Sequence, residues 1–143
     1  MKDFIETRII SAVRKLLTER VNEFLNDSQY AIPVIEFGSY EGSYTVVPVI
    51  AFSFCERTEK ERIIRLDAYS LTITISLPET SDSEMYCYAF SGAISRAFYD
   101  DPTLGGVANR AAITGKKYLA PKKPNCGEDW GLVITVRIVV ETV

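Results

Sequence analysis

The 143-residue sequence contains no histidine. The commonest general base, the commonest zinc ligand and every Ser–His or Cys–His nucleophile pair are therefore missing, and no remaining side chain has an ordinary pKa near neutrality. Cysteine is scarce. Cys55, Cys87 and Cys126 stand 32 and 39 positions apart with no CxxC pair. That spacing excludes a zinc ribbon or a thioredoxin-type site and predicts reduced thiols used as small buried hydrophobes. A basic excess is absent too. Sixteen Lys+Arg against 19 Asp+Glu leave a net charge of -3, which argues against generic affinity for nucleic acid or anionic membrane. The longest stretch without a charged residue, 42–55, contains Pro48 and is shorter than the roughly 20 residues of a membrane span. The first residues lack a secretory apolar region, so the expectation is an intracellular protein with no membrane role.

What is present is ordinary globular material, 47% hydrophobic and 24% charged. It predicts one domain over 1–143, long enough to build a core without metal or disulfide support. Residues 2–26 have the helical period. Ile5, Ile9, Val13, Leu16, Leu17, Val21, Phe24 and Leu25 recur at three- and four-residue steps, and most charges lie elsewhere on the wheel. Residues 33–37 read as a short strand. Residues 44–54 read as a second, β-branched run, in which Pro48 cannot donate a ladder hydrogen bond; the run is an edge strand, a bulged strand or two pieces. Residues 55–62 read as a charged turn.

The strongest strand signal covers 63–77. Leu71, Ile73, Ile75 and Leu77 alternate with Ser70, Thr72, Thr74 and Ser76. Arg65 and Asp67 share the apolar face near its start, which predicts that this end is exposed. After Pro78, Ser81 to Glu84 fits a capping box, and a helix is predicted over 82–99. Only Arg96 is charged between Met85 and Tyr99. A helix this apolar is covered on more than one side, by a sheet and by either the first helix or a neighbouring subunit. Asp100-Asp101-Pro102 ends it. Residues 107–119 read as a strand with a bulge or turn at Gly115-Lys116-Lys117, 120–130 as a loop, and 131–143 as a closing strand with Leu132, Ile134, Val136, Ile138 and Val140 on one face. The predicted fold class is α+β, a mainly antiparallel β-sheet packed against two helices in the order α-β-β-β-α-β-β.

The constellations that invite chemistry are weak. Eight residues separate Gly106 from Gly115 where a phosphate loop has four, and Lys117 replaces its Ser/Thr. Gly105-Gly106 reads instead as a turn needing positive φ. The carboxylates Asp100, Asp101, Glu79, Asp82 and Glu84 suit a divalent cation or an acid/base pair, but capping and helix termination account for them. Lys116, Lys117, Lys122 and Lys123, with Tyr118 between the pairs, form one basic patch. It is either a solvated loop or a weak, salt-sensitive contact with DNA or a partner. Eight tyrosines are many for this length and point to core packing or to interfaces. No catalytic, cofactor-binding or metal-binding set emerges, and no cofactor is expected.

The element order, the alternating strands at 71–76 and 133–138, and above all the passage Asp101-Pro102-Thr103-Leu104-Gly105-Gly106 after the second helix resemble the tail terminator proteins of tailed bacteriophages and prophages, also called tail completion or head–tail joining proteins. The resemblance implies a virion structural protein without enzymatic activity. Subunits of this kind form a homo-oligomeric ring, typically a hexamer. The ring caps the tail tube protein, ends its polymerisation and joins it to the head–tail connector, while DNA passes through the lumen without specific binding. It implies a place in the virion tail or neck after assembly in the host cytoplasm. Asp101, Thr103, Leu104, Gly105 and Gly106 carry over as a structural turn from helix to strand. Other readings are a different neck, head-completion or minor tail protein, and a small metal-dependent hydrolase built on Asp67, Asp100 or Asp101.

Overall fold

The structure is a computed structural model and describes residues 4–27, 32–37, 45–60, 64–77, 81–122 and 129–142. Helix α1 (Ile5–Leu16) runs through a π-helical segment (Leu17–Val21) into α2 (Asn22–Asn26). The buried side chains Ile9, Val13, Leu17, Val21 and Leu25 explain the π segment. Steps of four outrun a 3.6-residue turn by about 40° each, so a straight α-helix would carry the row off the core. A wider π turn restores it.

Strands β1 (Val34–Ile35) and β2 (Thr45–Val46) form a short parallel pair. The main sheet contains β3 (Val49–Lys60), β4 (Ile64–Leu77), β5 (Arg110–Leu119) and β6 (Trp130–Thr142) in the order β3-β4-β6-β5, with every neighbour antiparallel. Helix α3 (Ser83–Asp100) connects β4 to β5, and β6 returns between them. The fold is α+β, as the alternating strands and amphipathic helices predict. Tyr69, Leu71, Ile73, Ile75 and Leu77 of β4 and Leu132, Ile134, Val136, Ile138 and Val140 of β6 share one buried face with the helices. Each large aliphatic side chain there contributes about 2 kcal/mol of burial. Phe90, Ile94, Ala97 and Phe98 of α3 complete the same core.

The run at 44–54 is two pieces, β2 and β3, separated at Val47-Pro48, and β3 is also a bulged edge strand, with a register shift between Phe54 and Glu56. Residues 55–60 are not a turn but the second half of β3. Their charge density misleads because an edge strand meets water and tolerates charge there. Arg57 also reaches Asp67 and Glu56 reaches Arg137, both across the sheet. The start of β4 is only partly exposed. Arg65 is in solvent, but Asp67 is 4% exposed because the Arg57 guanidinium covers it. Helix α3 begins at Ser83 with Asp82, not Ser81, in the N-cap position, and the Glu84 carboxylate turns forward to accept from Tyr88 Oη at 2.9 Å. The reciprocal box at Ser81 therefore does not form. Strand β5 does carry a bulge, but between Ile113 and Gly115; Gly115, Lys116 and Lys117 themselves pair in regular register with Thr135, Ile134 and Val133. No described helix is long and apolar enough to cross a membrane.

Candidate functional site

The turn after α3 has the shape that its glycines predict. Leu104, Gly105 and Gly106 take φ values of +52°, +68° and +93°. A Cβ on either glycine would meet no atom within 4 Å, so the requirement is conformational rather than steric. The Asp101 carboxylate accepts from Gly105 N at 3.0 Å, and the Thr103 carbonyl accepts from Gly106 N and Ala108 N, each at 3.0 Å. Leu104 is strained for a residue with a side chain, and burial of that side chain in the core holds it there. Asn109 then clasps β6. Its backbone N–H donates to the Val139 carbonyl at 2.9 Å, while its side chain accepts from Glu141 N and donates to the Glu141 carboxylate. The five turn residues thus deliver the chain from α3 to the outer edge of the sheet.

The basic patch does not lie on one loop. Lys116 and Lys117 are neighbours on β5 and so point to opposite faces, Lys116 in the row of buried Ile134 and Lys117 in the row of Val133. Both are exposed, as is Lys122. Lys123 lies outside the described residues. Tyr118 ties this end of β5 to α3. Its hydroxyl lies 2.7 Å from Ser91 Oγ, and its ring meets Tyr88 edge-on at 5.4 Å. Among the other tyrosines, Tyr69 is buried and donates to Glu6 at 3.3 Å, while Tyr99 is 85% exposed. Tyr30, Tyr40 and Tyr44 lie outside the described residues.

Each candidate acid among the described residues has a protein partner. Asp67 accepts from Arg57 Nε at 2.6 Å and Nη2 at 3.0 Å, and that bidentate bond holds its carboxyl below the usual carboxylate value despite burial. Asp100 faces Arg20 at 3.6 Å, and Asp101 caps Gly105. Among the described residues no three His, Cys, Asp or Glu side chains are grouped to hold a metal ion. Glu79 lies outside the described residues.

Two further features bear on what the molecule can join. The first is the pair of sheet margins. The twelve-residue β3 and the ten-residue β5 are the outer strands, and both are exposed along much of their length. An outer strand leaves one row of backbone N–H and C=O groups without a ladder partner, although on β5 the N–H of Ala111 donates to the Pro102 carbonyl at 2.6 Å. The second is an open groove of about 460 Å³ between α3 and β5, lined by Phe98, Tyr99, Pro102, Ala111 and Ile113 among others. A second groove of about 510 Å³ lies between the first helical segments and the turn, with Arg8, Lys15, Glu19, Arg20 and Asp101 among its lining residues.

Compared with protein-family models and with the sequences of curated proteins, the chain matches none.

Proposed function

We propose that this protein is a structural virion subunit of the tail-terminator type, whose copies close into a ring by joining their sheet margins. The carrying observation is the direction of the two outer strands. Four strands that alternate strictly leave β3 and β5 antiparallel to each other. A copy placed beside the first in the same orientation therefore continues the antiparallel alternation without interruption. Such a contact is head-to-tail, and a head-to-tail contact with the right rotation gives a closed ring.

In this reading the ring, a hexamer by resemblance to tail terminators, caps the tail tube, ends its growth and presents a surface to the head connector. DNA passes through the lumen without specific binding, consistent with a net charge of -3. The turn at Asp101 and Thr103 to Gly106 supports the resemblance, and its task is to set β5 at the rim of the sheet. Lys116 and Lys117, on that rim, are available to a partner. No step of catalysis and no cofactor belongs to this function. Negative-stain images of the purified protein test it. Closed rings of uniform diameter are expected, and isolated particles of single-chain size at every concentration contradict it.

A further inference from the structure

We infer that the groove between α3 and β5 is a docking site for an extended acidic segment of a partner protein, with a carboxylate toward each end and an apolar side chain between them. The inference does not rest on the ring reading. The groove holds about 460 Å³, and Phe98, Tyr99 and Ile113 give it an apolar floor. The part of β5 that lines it begins at Arg110 and ends at Lys116, so a cation stands at each end of that stretch. The Tyr99 ring is 85% exposed, and a segment lying in the groove covers part of it.

Charge selects the occupant. Among the described residues neither Arg110 nor Lys116 has a carboxylate partner. The acids nearby in the chain are engaged elsewhere. Asp100 faces Arg20, Asp101 caps Gly105, and Glu141 accepts from Asn109. Strand β5 itself contains no acid. Lys116 is paired with Ile134, whose side chain is buried on the helix-covered face, so Lys116 stands on the groove side of the strand. In a chain of net charge -3 the groove is thus a local pair of uncompensated cations beside apolar surface. Carboxylates complement it, whereas a basic or neutral segment leaves both cations unmatched.

Length and width select its form. Arg110 and Lys116 stand six positions apart on one strand. At a rise of about 3.3 Å per residue that is roughly 20 Å, slightly less with the bulge. One small carboxylate cannot meet both cations. An α-helix is about 10 Å across, too wide for 460 Å³ spread over that length. An extended segment of about seven residues fits it. At Ala111 the backbone N–H already donates to the Pro102 carbonyl at 2.6 Å, so the segment is held there by side chains and not by a strand ladder. Two cations are also few for a phosphate backbone, and the net charge opposes one.

Fluorescence anisotropy of the intact chain with labelled, end-blocked peptides of about seven residues tests this. Each peptide has glutamate at both ends, serine elsewhere, and leucine, phenylalanine or serine at its centre; a fourth replaces both glutamates of the leucine peptide with glutamine. The leucine and phenylalanine peptides are expected to bind about tenfold more tightly than the serine-centred and glutamine-ended ones, and less tightly as salt is raised. Arg110→Glu/Lys116→Glu is expected to weaken that binding about tenfold or more, and Tyr99→Ser about threefold. All three side chains are exposed, so the substitutions leave the fold in place, which thermal melts monitor. The inference is overturned if neither apolar peptide binds at the highest soluble concentration, if the serine-centred peptide or the charge-reversed protein binds equally well, or if a short oligothymidylate displaces the peptide as effectively as unlabelled peptide does. Sedimentation of the same protein reports assembly separately. A chain that binds the peptides without assembling keeps this inference and loses the ring reading, and one that assembles without binding them does the reverse.

Discussion

Asp67 shows how one residue links charge to stability. Its pKa in the folded chain is lowered, chiefly by the hydrogen bonds from Arg57, so folding favours its ionised form. The pair therefore contributes stability that is complete above the ordinary carboxylate pKa near 3.8, and that is lost as pH falls below this value through the folded one. Thermal melts from pH 6 to pH 2.5 should show this decline. Arg57→Met should cost about 2 kcal/mol at pH 6 and flatten the acid limb, because the buried carboxyl then prefers its proton. An acid limb identical in both proteins would count against the pair. The thiols differ for a similar reason. Burial, assisted by Glu84, pushes Cys87 up to about 11, whereas Cys55 lies exposed at the β3 bulge. Thiol-specific labelling of the native protein at pH 8 should modify Cys55 rapidly and Cys87 only on unfolding. At Gly105 and Gly106 the positive φ values predict that an alanine at either position costs about 1–2 kcal/mol without any steric clash, a loss that urea denaturation can measure.

The elements show what residue patterns reveal and where they stop. Asn22, just after the π segment, acts as a clamp. Its amide donates to the Thr18 carbonyl at 2.7 Å and to the Ile35 carbonyl at 2.8 Å, and accepts from Ile35 N at 2.7 Å. It offers β1 the edge of a peptide group and binds it to the helix. Asn22→Leu strands both Ile35 groups and should cost about 2 kcal/mol, or a fall of about 4–8 °C in Tm. Nothing in the local pattern marks Asn22, because its partner lies on another element. The alternation in β4 and β6 was legible because only one face of each faces the helices. The second half of β3 was not, since charges on an edge look like charges in a turn. The helical row in four-residue steps carries the sign of the π segment, but the same spacing also fits a regular helix. Leu104 at φ +52° was equally hidden, because tertiary burial, not local preference, holds it.

At the scale of the molecule the decisive property is strand order. Spacing along the chain predicts which segments are strands, but only the order β3-β4-β6-β5 shows which two are left outside. The same order puts Phe54 and Ala111 in one row and Glu56 and Arg110 in another, pairings that no local pattern announces. The apolar excess of α3 divides similarly. Phe90, Ile94, Ala97 and Phe98 face the core, while Met85, Tyr88 and Tyr99 remain exposed on its outer side. The account is one of mechanical closure, in which the margins of the sheet are completed by further copies of the chain. Native mass spectrometry of the purified protein tests this most directly. The account predicts a single closed species, six times the 16.0 kDa of one chain if the resemblance carries through. A wild-type spectrum containing only the single chain at the highest accessible concentration would contradict it.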